Sequence, residues 1–244
     1  MSLEERVNYY LNMKRELLKD FDKISKGIGG KVLEQRFDES TTPQLIMSAR
    51  NEYESLIPQL PYIGGKSNIL YSGLIGSAWM LAIIRSLEKK GLSVHDIGEI
   101  IYNLYEAWFE SMPRIKKWFA GKMYSSIFMR RIGRKQAQKS QLRTYPDDWV
   151  FEYVEGDGET FDYGFDYTEC GICKLYKEQD AEKYLPFICL GDYPMYRSFG
   201  VGMKRTQTIG NGAESCDFRF KRNETTNMGW PPEGLEEFKG NKNK

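Results

Sequence analysis

The hydrophobic period of the chain changes near residue 143, and this change limits the folds that the sequence can adopt. Before it, apolar residues recur at helical spacing, beginning with Leu11, Leu17 and Phe21, which is typical of amphipathic helices. Strand-like alternation is absent there. After residue 148, aromatic residues alternate on both sides of a Gly-Asp-Gly turn, which is typical of a β-hairpin. A parallel, doubly wound sheet is excluded because it needs strands and helices in alternation from the start.

These patterns predict an α+β fold, in which an N-terminal helical region is followed by a small antiparallel sheet with two helices. We expect the helical region over residues 1–143 and the α+β region, which carries all the cysteines, over residues 144–222. Residues 223–244 are rich in Gly, Asn, Pro, Lys and Glu, so we expect a flexible tail there. With 244 residues, 41% of them hydrophobic, the chain is long enough for a proper core.

The charge of the chain is balanced overall but uneven along its length. Lys and Arg number 35 against 34 Asp and Glu, so no general field steers the protein to nucleic acid or to an anionic membrane. Residues 111–146, however, hold ten basic residues and no acidic ones, whereas residues 147–192 hold thirteen acids and three lysines. A basic helix of this kind can bind RNA or a membrane surface. We favour neutralisation by the acidic stretch of the same or a partner chain, and expect no nucleic acid, no membrane and a possible homo-oligomer.

The apolar segments favour a cytoplasmic protein. The N-terminal "MSLEERVNYYLNMKRELLKDF" mixes acidic, basic and apolar residues without the apolar core of a signal peptide. The longest mostly apolar run, residues 69–84, is 16 residues long and contains Gly and Ser, whereas about 20 residues are needed to span a bilayer. We therefore expect a buried helix at this run.

Four cysteines lie after residue 169, at Cys170, Cys173, Cys189 and Cys216. In an intracellular chain they are expected to be free thiols, metal ligands or catalytic groups rather than a disulfide framework. Four thiolates can close a zinc site or hold an iron–sulfur cluster, but a zinc ribbon brings two close pairs, and the last two cysteines here are single. We expect no metal and no cofactor. Cys170 and Cys173 begin a predicted helix, which favours a lowered thiol pKa, although burial as a small apolar residue is expected for Cys173.

Other catalytic classes are excluded by what the sequence lacks. Its only histidine is His95, in the helical region, so neither a Ser-His-Asp or Cys-His-Asn site nor an imidazole zinc site is expected. Neither G-x-x-x-x-G-K-[ST] nor G-x-G-x-x-G occurs, so nucleotide binding is not indicated. Any acid–base chemistry is therefore expected from carboxylates or cysteines.

Several motifs together resemble one enzyme family. The segments "FDYTECGICKLYKEQ", "LPFICLGD" and "RTQTIGNGAESCDFRF", with "LPYIGGKSN" upstream, are similar to the L-2-amino-thiazoline-4-carboxylic acid hydrolase family. The similarity is close over residues 165–220 and loose over residues 54–220. The resemblance implies a bacterial-type hydrolase that opens a cyclic amidine, the thiazoline ring, to an N-carbamoyl amino acid.

Such a reaction needs a nucleophile at the central carbon, a proton donor for the departing nitrogen and a cation for the substrate carboxylate. The motif residues that offer these groups are Cys189, Asp192, Cys216 and Asp217 as catalytic candidates, and Arg205, Thr206 and Arg219 as substrate-binding candidates. We therefore predict a hydrolase acting on carbon–nitrogen bonds of a small carboxylated cyclic amidine or related heterocycle.

The alternation of side chains along a strand divides these candidates. Cys216 shares one face with two phenylalanines, which places it toward the core, whereas Asp217 and Arg219 share the other face. We expect Asp217 and Arg219 to face the cavity, unless they form a plain cross-strand ion pair of at most about 1 kcal/mol. Cys189, just before a glycine that stops its helix, is the favoured nucleophile, with Asp192 in the same pocket.

Two other functions stay open at this point. A metal- or cofactor-binding sensor would use the four cysteines as ligands, and elemental analysis of the purified protein distinguishes it from a hydrolase. A non-catalytic small-molecule-binding protein is favoured if Cys189 and Cys216 are inert toward alkylating reagents at neutral pH.

Overall fold

The computed structural model describes residues 3–239 of the chain. Helices fill the part before residue 141, in keeping with the helical period of the sequence. Their bounds are Leu3–Ile24 (α1), Gly30–Leu33 (α2), Thr41–Leu56 (α3), Tyr71–Glu88 (α4), Val94–Ser111 (α5), Arg114–Tyr124 (α6) and Ile127–Ser140 (α7). A π-helical segment, Ser25–Gly29, joins α1 to α2.

Helices α3 and α4 form the centre of the helical region. Most of the α4 circumference is apolar, and its Leu74, Ala78 and Leu81 are fully buried, as is usual for a helix enclosed by others. Tyr53 and Leu56 of α3 join the same core. The apolar run at residues 69–84 thus forms a buried helix. Within residues 3–239, none of the helices combines the length and the hydropathy that crossing a bilayer requires.

All strands described between residues 3 and 239 lie in the C-terminal part of the chain. They are Val150–Glu155 (β1), Tyr163–Glu169 (β2), Gly202–Lys204 (β3) and Cys216–Lys221 (β4). They pair antiparallel in the order β1-β2-β4-β3. Three helices separate β2 from β3 and one follows the sheet, with bounds Gly171–Glu178 (α8), Leu185–Cys189 (α9), Asp192–Phe199 (α10) and Glu236–Lys239 (α11). The predicted α+β fold is confirmed, with three helices rather than two inserted in the sheet.

The two faces of the sheet differ in chemistry because side chains alternate along each strand. On the inner face, Tyr167 of β2 stands opposite Cys216 of β4, and Phe165 stands opposite Phe218. Helix α7 packs against this face, where the missing side chain of Gly133 leaves room for the Phe165 ring. The outer face carries the polar residues that lie between these positions.

Residues 223–239 pack on the body of the protein, which differs from the flexible tail expected from their composition. The Thr226 hydroxyl accepts a hydrogen bond from the Met203 N–H (2.9 Å) and donates one to the Val201 carbonyl (2.6 Å). The Glu237 side chain is completely buried. Composition misses these contacts because a few long-range polar partners, rather than an apolar pattern, hold the segment. Residues 240–244 of the predicted tail lie outside the described residues, and the boundaries at residues 143 and 222 stay predictions.

Helix α7 and the segment after it pair part of their positive charge with the β1–β2 hairpin. The pairs are Arg130–Asp162 (3.5 Å), Arg134–Glu155 and Arg143–Glu169. The acidic stretch is therefore a partner of the basic stretch in the same chain, but these pairs do not involve α6.

Candidate active site

Arg205 is the centre of a buried charge cluster. Only 1% of its side chain is exposed, and its guanidinium binds Asp192 (2.7 Å) and Glu237 (2.6 and 2.9 Å). It also donates to the carbonyl oxygen of Cys189 (3.0 Å). One cation is thus shared by two carboxylates, a charge-assisted arrangement that fixes all three groups. These four hydrogen bonds use all but one of the five N–H donors of the guanidinium, and the remaining donor is on the nitrogen that binds Asp192.

Asp192 is placed by the sharp turn between α9 and α10. The turn residue Gly191 lies against the Tyr105 ring, and an added Cβ would come within 2.9 Å of that ring. Only glycine therefore allows α10 to begin at Asp192 so close to α5. Burial raises the pKa of Asp192, and the attraction of Arg205 offsets only part of this effect.

Cys189 and Cys216 lie beside the charge cluster as protonated thiols. The turn Ile209–Asn211 covers Cys189, since a Cβ on Gly210 would approach its Sγ within 2.8 Å. Burial raises the pKa of Cys189 well above its usual range. Cys216 is buried, and burial raises its pKa to about 12 although the Ile209 N–H donates to its Sγ (3.2 Å). At neutral pH neither thiol ionises readily.

Cys170 has the opposite electrostatic environment. It occupies the N-cap position of α8, where backbone N–H groups and the helix dipole favour negative charge. The nearby Cys173 thiol, the first-turn N–H groups of Cys173 and Ile172, and Trp149 lower its pKa against the opposing effect of burial. The Cys170 side chain does not cap the helix with a hydrogen bond. The same thiol–thiol contact raises the pKa of Cys173, so Cys170 is the thiol of the pair that ionises more readily.

Five half-buried side chains lie near one another beside the charge cluster: Tyr105, Tyr167, Cys170, Cys189 and Asp192. Asp192 keeps 30% of its side chain exposed, yet burial is the main cause that raises its pKa. Tyr105 and Tyr167 are likewise half-buried, and burial is the main cause that raises their pKa values. The charge of Asp192 raises both pKa values further. From the partial exposure of these neighbouring side chains we infer that they face a common recess.

The structure brings together Cys189, Asp192, Cys216 and Arg205 from the predicted site, but not the other three residues. Asp217, on the outer face of the sheet, accepts hydrogen bonds from the Thr206 N–H (2.8 Å) and hydroxyl (2.6 Å). Their contact is exposed and joins the ends of β3 and β4.

Arg219 also projects from the outer face. It pairs with Asp166 across the strands (2.6 Å) and lies over the Phe161 ring. The structure therefore does not contain the ion pair between Asp217 and Arg219, because Arg219 pairs with Asp166 and Asp217 binds Thr206. Since Cys216 and Phe218 point to the inner face, the alternation that separates them from Arg219 also turns Arg219 away from the recess.

Sequence reasoning did not propose Cys170, Glu237 or the two recess tyrosines as site residues. A signal existed for Cys170, since the helix start that lowers its pKa was predicted. The sequence contains no such signal for Glu237, because this residue lies 32 residues from its partner Arg205 in a segment whose composition is typical of a flexible tail.

The four cysteines are all free thiols. Among the residues from 3 to 239, no three His, Cys, Asp or Glu side chains are arranged so that they could hold a metal ion.

Residues 77–220 match the family model described as L-2-amino-thiazoline-4-carboxylic acid hydrolase. The matched segment is more than half of the chain and includes every recess residue, whereas Glu237 lies outside it. No curated protein and no solved structure matches the chain.

Proposed function

The chain belongs to the L-2-amino-thiazoline-4-carboxylic acid hydrolase family, and we propose that it is a hydrolase that opens a small carboxylated cyclic amidine of the thiazoline type. The family name supports the reaction class. The observation that carries the proposal for this chain is that Cys170, whose thiol pKa is lowered, and Asp192, whose carboxyl pKa is raised, both lie near Cys189 and Tyr167. A nucleophile and a proton donor are the two groups that such a ring opening needs.

In the first step, the Cys170 thiolate attacks the ring carbon that lies between sulfur and nitrogen. The ring C–S bond then breaks, and the departing sulfur takes the proton of Asp192. The N-carbamoyl amino acid product keeps both nitrogens of the substrate. The leaving atom is therefore the ring sulfur, whereas a departing nitrogen was expected from the sequence. The result is an isothiourea, in which the former ring carbon is bonded to the Cys170 sulfur.

In the second step, the Asp192 carboxylate removes a proton from water, and the resulting hydroxide attacks the isothiourea carbon. The bond to the Cys170 sulfur breaks, the C=O bond of a urea forms, and the hydroxyl proton moves to the former ring nitrogen. Cys170 returns as a thiolate and Asp192 as a protonated acid. The sum is one substrate and one water converted to one N-carbamoyl thiol.

Arg205 and Glu237 hold Asp192 in place for this cycle. Arg205 occupies one carboxylate oxygen of Asp192, which leaves the other for proton transfer. Glu237 binds the same guanidinium, so it partly cancels the positive potential that Arg205 exerts at Asp192. The Asp192 carboxyl can therefore take up a proton more easily than it would in an isolated ion pair.

We assign substrate contacts to uncharged groups of the recess. The hydroxyls of Tyr105 and Tyr167 offer donors to the substrate carboxylate. The side-chain oxygen of Asn211, in the turn over Cys189, is buried without a hydrogen-bond partner among the described residues, and an acceptor there suits the amino group of a 2-aminothiazoline. Cys189 and Cys216 contribute neutral surface beside the reacting carbon.

Turnover of 2-amino-2-thiazoline-4-carboxylate by the purified protein tests the function. Chromatography should show N-carbamoylcysteine appearing, and the matched compound 2-amino-2-thiazoline, which lacks the carboxylate, should react more slowly. Tight binding of the carboxylated ring without any product would contradict a hydrolase and favour a non-catalytic binding protein.

A further inference from the structure

Helix α6 turns an apolar face outward. Ile115, Trp118, Phe119 and Met123 recur at helical spacing on one side of it, with exposed fractions of 61, 55, 62 and 47%. The opposite side packs on the body of the protein, where Gly121 lies so close to the Phe199 carbonyl that no Cβ fits. An amphipathic helix normally buries its apolar side, so this orientation requires a partner.

The apolar face continues into the first turn of α7. Ile127 and Phe128 there are 65 and 66% exposed. We call the six residues Ile115, Trp118, Phe119, Met123, Ile127 and Phe128 the α6–α7 surface. A contiguous cluster of large apolar side chains on a protein surface marks an interaction site, whereas single exposed residues do not.

The charge around the α6–α7 surface is entirely positive. Residues 111–146 contain no acid, and the three ion pairs with the hairpin use cations of α7 and of the segment after it. Within the described part of the chain, no carboxylate lies within ion-pair distance of Arg114, Lys116 or Lys122 of α6. Lys122 instead lies beside the Trp118 ring, 5.9 Å from its centre.

We propose that the α6–α7 surface docks the protein on a lipid bilayer that contains anionic lipids. Indole, phenyl and aliphatic side chains enter the boundary between head groups and acyl chains, while lysines and arginines at their edge meet the lipid phosphates. Both halves of this chemistry are present on one helix face. The protein rests on the membrane without crossing it, in agreement with the lengths and hydropathy of its helices.

The charge favours a bilayer over a second copy of the chain. A symmetric dimer through this surface would place two basic helices against each other, and the repulsion would oppose the apolar contact. The hairpin carboxylates Asp162, Glu155 and Glu169 are already paired with cations of α7 and of the segment after it. RNA would use the basic residues but would leave the aliphatic side chains without a partner.

Cosedimentation of the full chain with vesicles tests the proposal. Vesicles of phosphatidylcholine with one third phosphatidylserine should bind the protein, and vesicles of phosphatidylcholine alone should bind it at least tenfold more weakly. The double variant Trp118→Ser, Phe119→Ser and the double variant Lys116→Glu, Lys122→Glu should each reduce binding at least tenfold. Met47→Ser, which removes a similarly exposed methionine on α3, should bind as the wild type does.

Circular dichroism melting checks that each variant folds, and size-exclusion chromatography with light scattering measures its mass. Equal binding to both vesicle types, or no binding, contradicts the proposal. A dimer that the Trp118→Ser, Phe119→Ser variant dissociates would assign the surface to a second copy instead, and tight RNA binding lost in the lysine variant would assign it to nucleic acid.

Discussion

Cys170 and Cys173 lie one helical turn apart at the start of α8, and the contact between their thiols moves their pKa values in opposite directions. Because the pKa of Cys170 is the lowered one, Cys170 ionises more readily than Cys173. A Cys-x-x-Cys pair at a helix N-terminus can lower one thiol pKa at the expense of the other. We infer that in this chain the thiol with the lowered pKa faces the same recess as Asp192.

Alkylation should therefore single out Cys170. Iodoacetamide at neutral pH is expected to modify Cys170 first, because only its pKa is lowered among the four cysteines and the thiolate is the reactive form. Peptide mass spectrometry after a time course identifies the order. Replacing the donor, Cys173→Ala, should move the pH dependence of the Cys170 rate to higher pH. First modification of Cys189 would restore it as the favoured nucleophile.

The two recess groups predict a bell-shaped pH dependence of kcat/KM. Activity needs ionised Cys170 together with protonated Asp192. The pKa of Asp192 is raised and that of Cys170 is lowered. The fraction of enzyme with Cys170 ionised and Asp192 protonated is therefore larger than it would be with the usual pKa values of the two groups. Rates should fall at low pH as Cys170 takes up a proton and at high pH as Asp192 loses one, with apparent pKa values that belong to the pair.

The variant Asp192→Asn tests whether loss of the Asp192 proton causes the fall of kcat/KM at high pH. It should lower kcat at least a hundredfold, and its residual activity should follow a single ionisation, that of Cys170. A full bell in the variant would show that another group transfers the proton.

Glu237 should contribute strongly to stability. Removing one partner of a buried ion pair leaves an unbalanced charge and costs about 3 kcal/mol, although Asp192 still accompanies Arg205. We expect Glu237→Ala to lower the free energy of unfolding by about that amount in urea titration. The neighbouring exposed residue provides the control, since Glu236→Ala should change it by less than about 0.5 kcal/mol. Equal effects of the two variants would contradict a structural role for the residues after 222.

Arg219 should matter little for catalysis. It lies on the outer face of the sheet with Asp166, in a partly exposed pair that is worth about 1 kcal/mol or less. Arg219→Lys is expected to leave KM for the thiazoline within about threefold of the wild type, since the guanidinium does not face the recess. A rise of KM by a factor of a hundred would mean that Arg219 binds the substrate carboxylate after all.

The sequence predicted the fold well because the change of period near residue 143 is a local signal. Strand alternation also separated Cys216 from Asp217 and Arg219 correctly. The expectation that Asp217 and Arg219 face the cavity differs from the structure, which places them on the outer face of the sheet. Alternation alone does not say which face packs against α7 and the inserted helices. The partnership of Arg205 with Glu237 was beyond reach, since no periodicity links a single carboxylate to a cation 32 residues away.

The most direct test of the account is whether substrate becomes bonded to Cys170. Wild-type protein mixed rapidly with excess 2-amino-2-thiazoline-4-carboxylate and quenched in acid should gain the mass of one intact substrate, because ring opening leaves all substrate atoms on the sulfur. Peptide mapping should place this mass on Cys170, and Cys170→Ser should neither gain it nor release product, while Cys189→Ser should do both. Full turnover by Cys170→Ser, or an adduct on Cys189 or Cys216, would contradict the central claim.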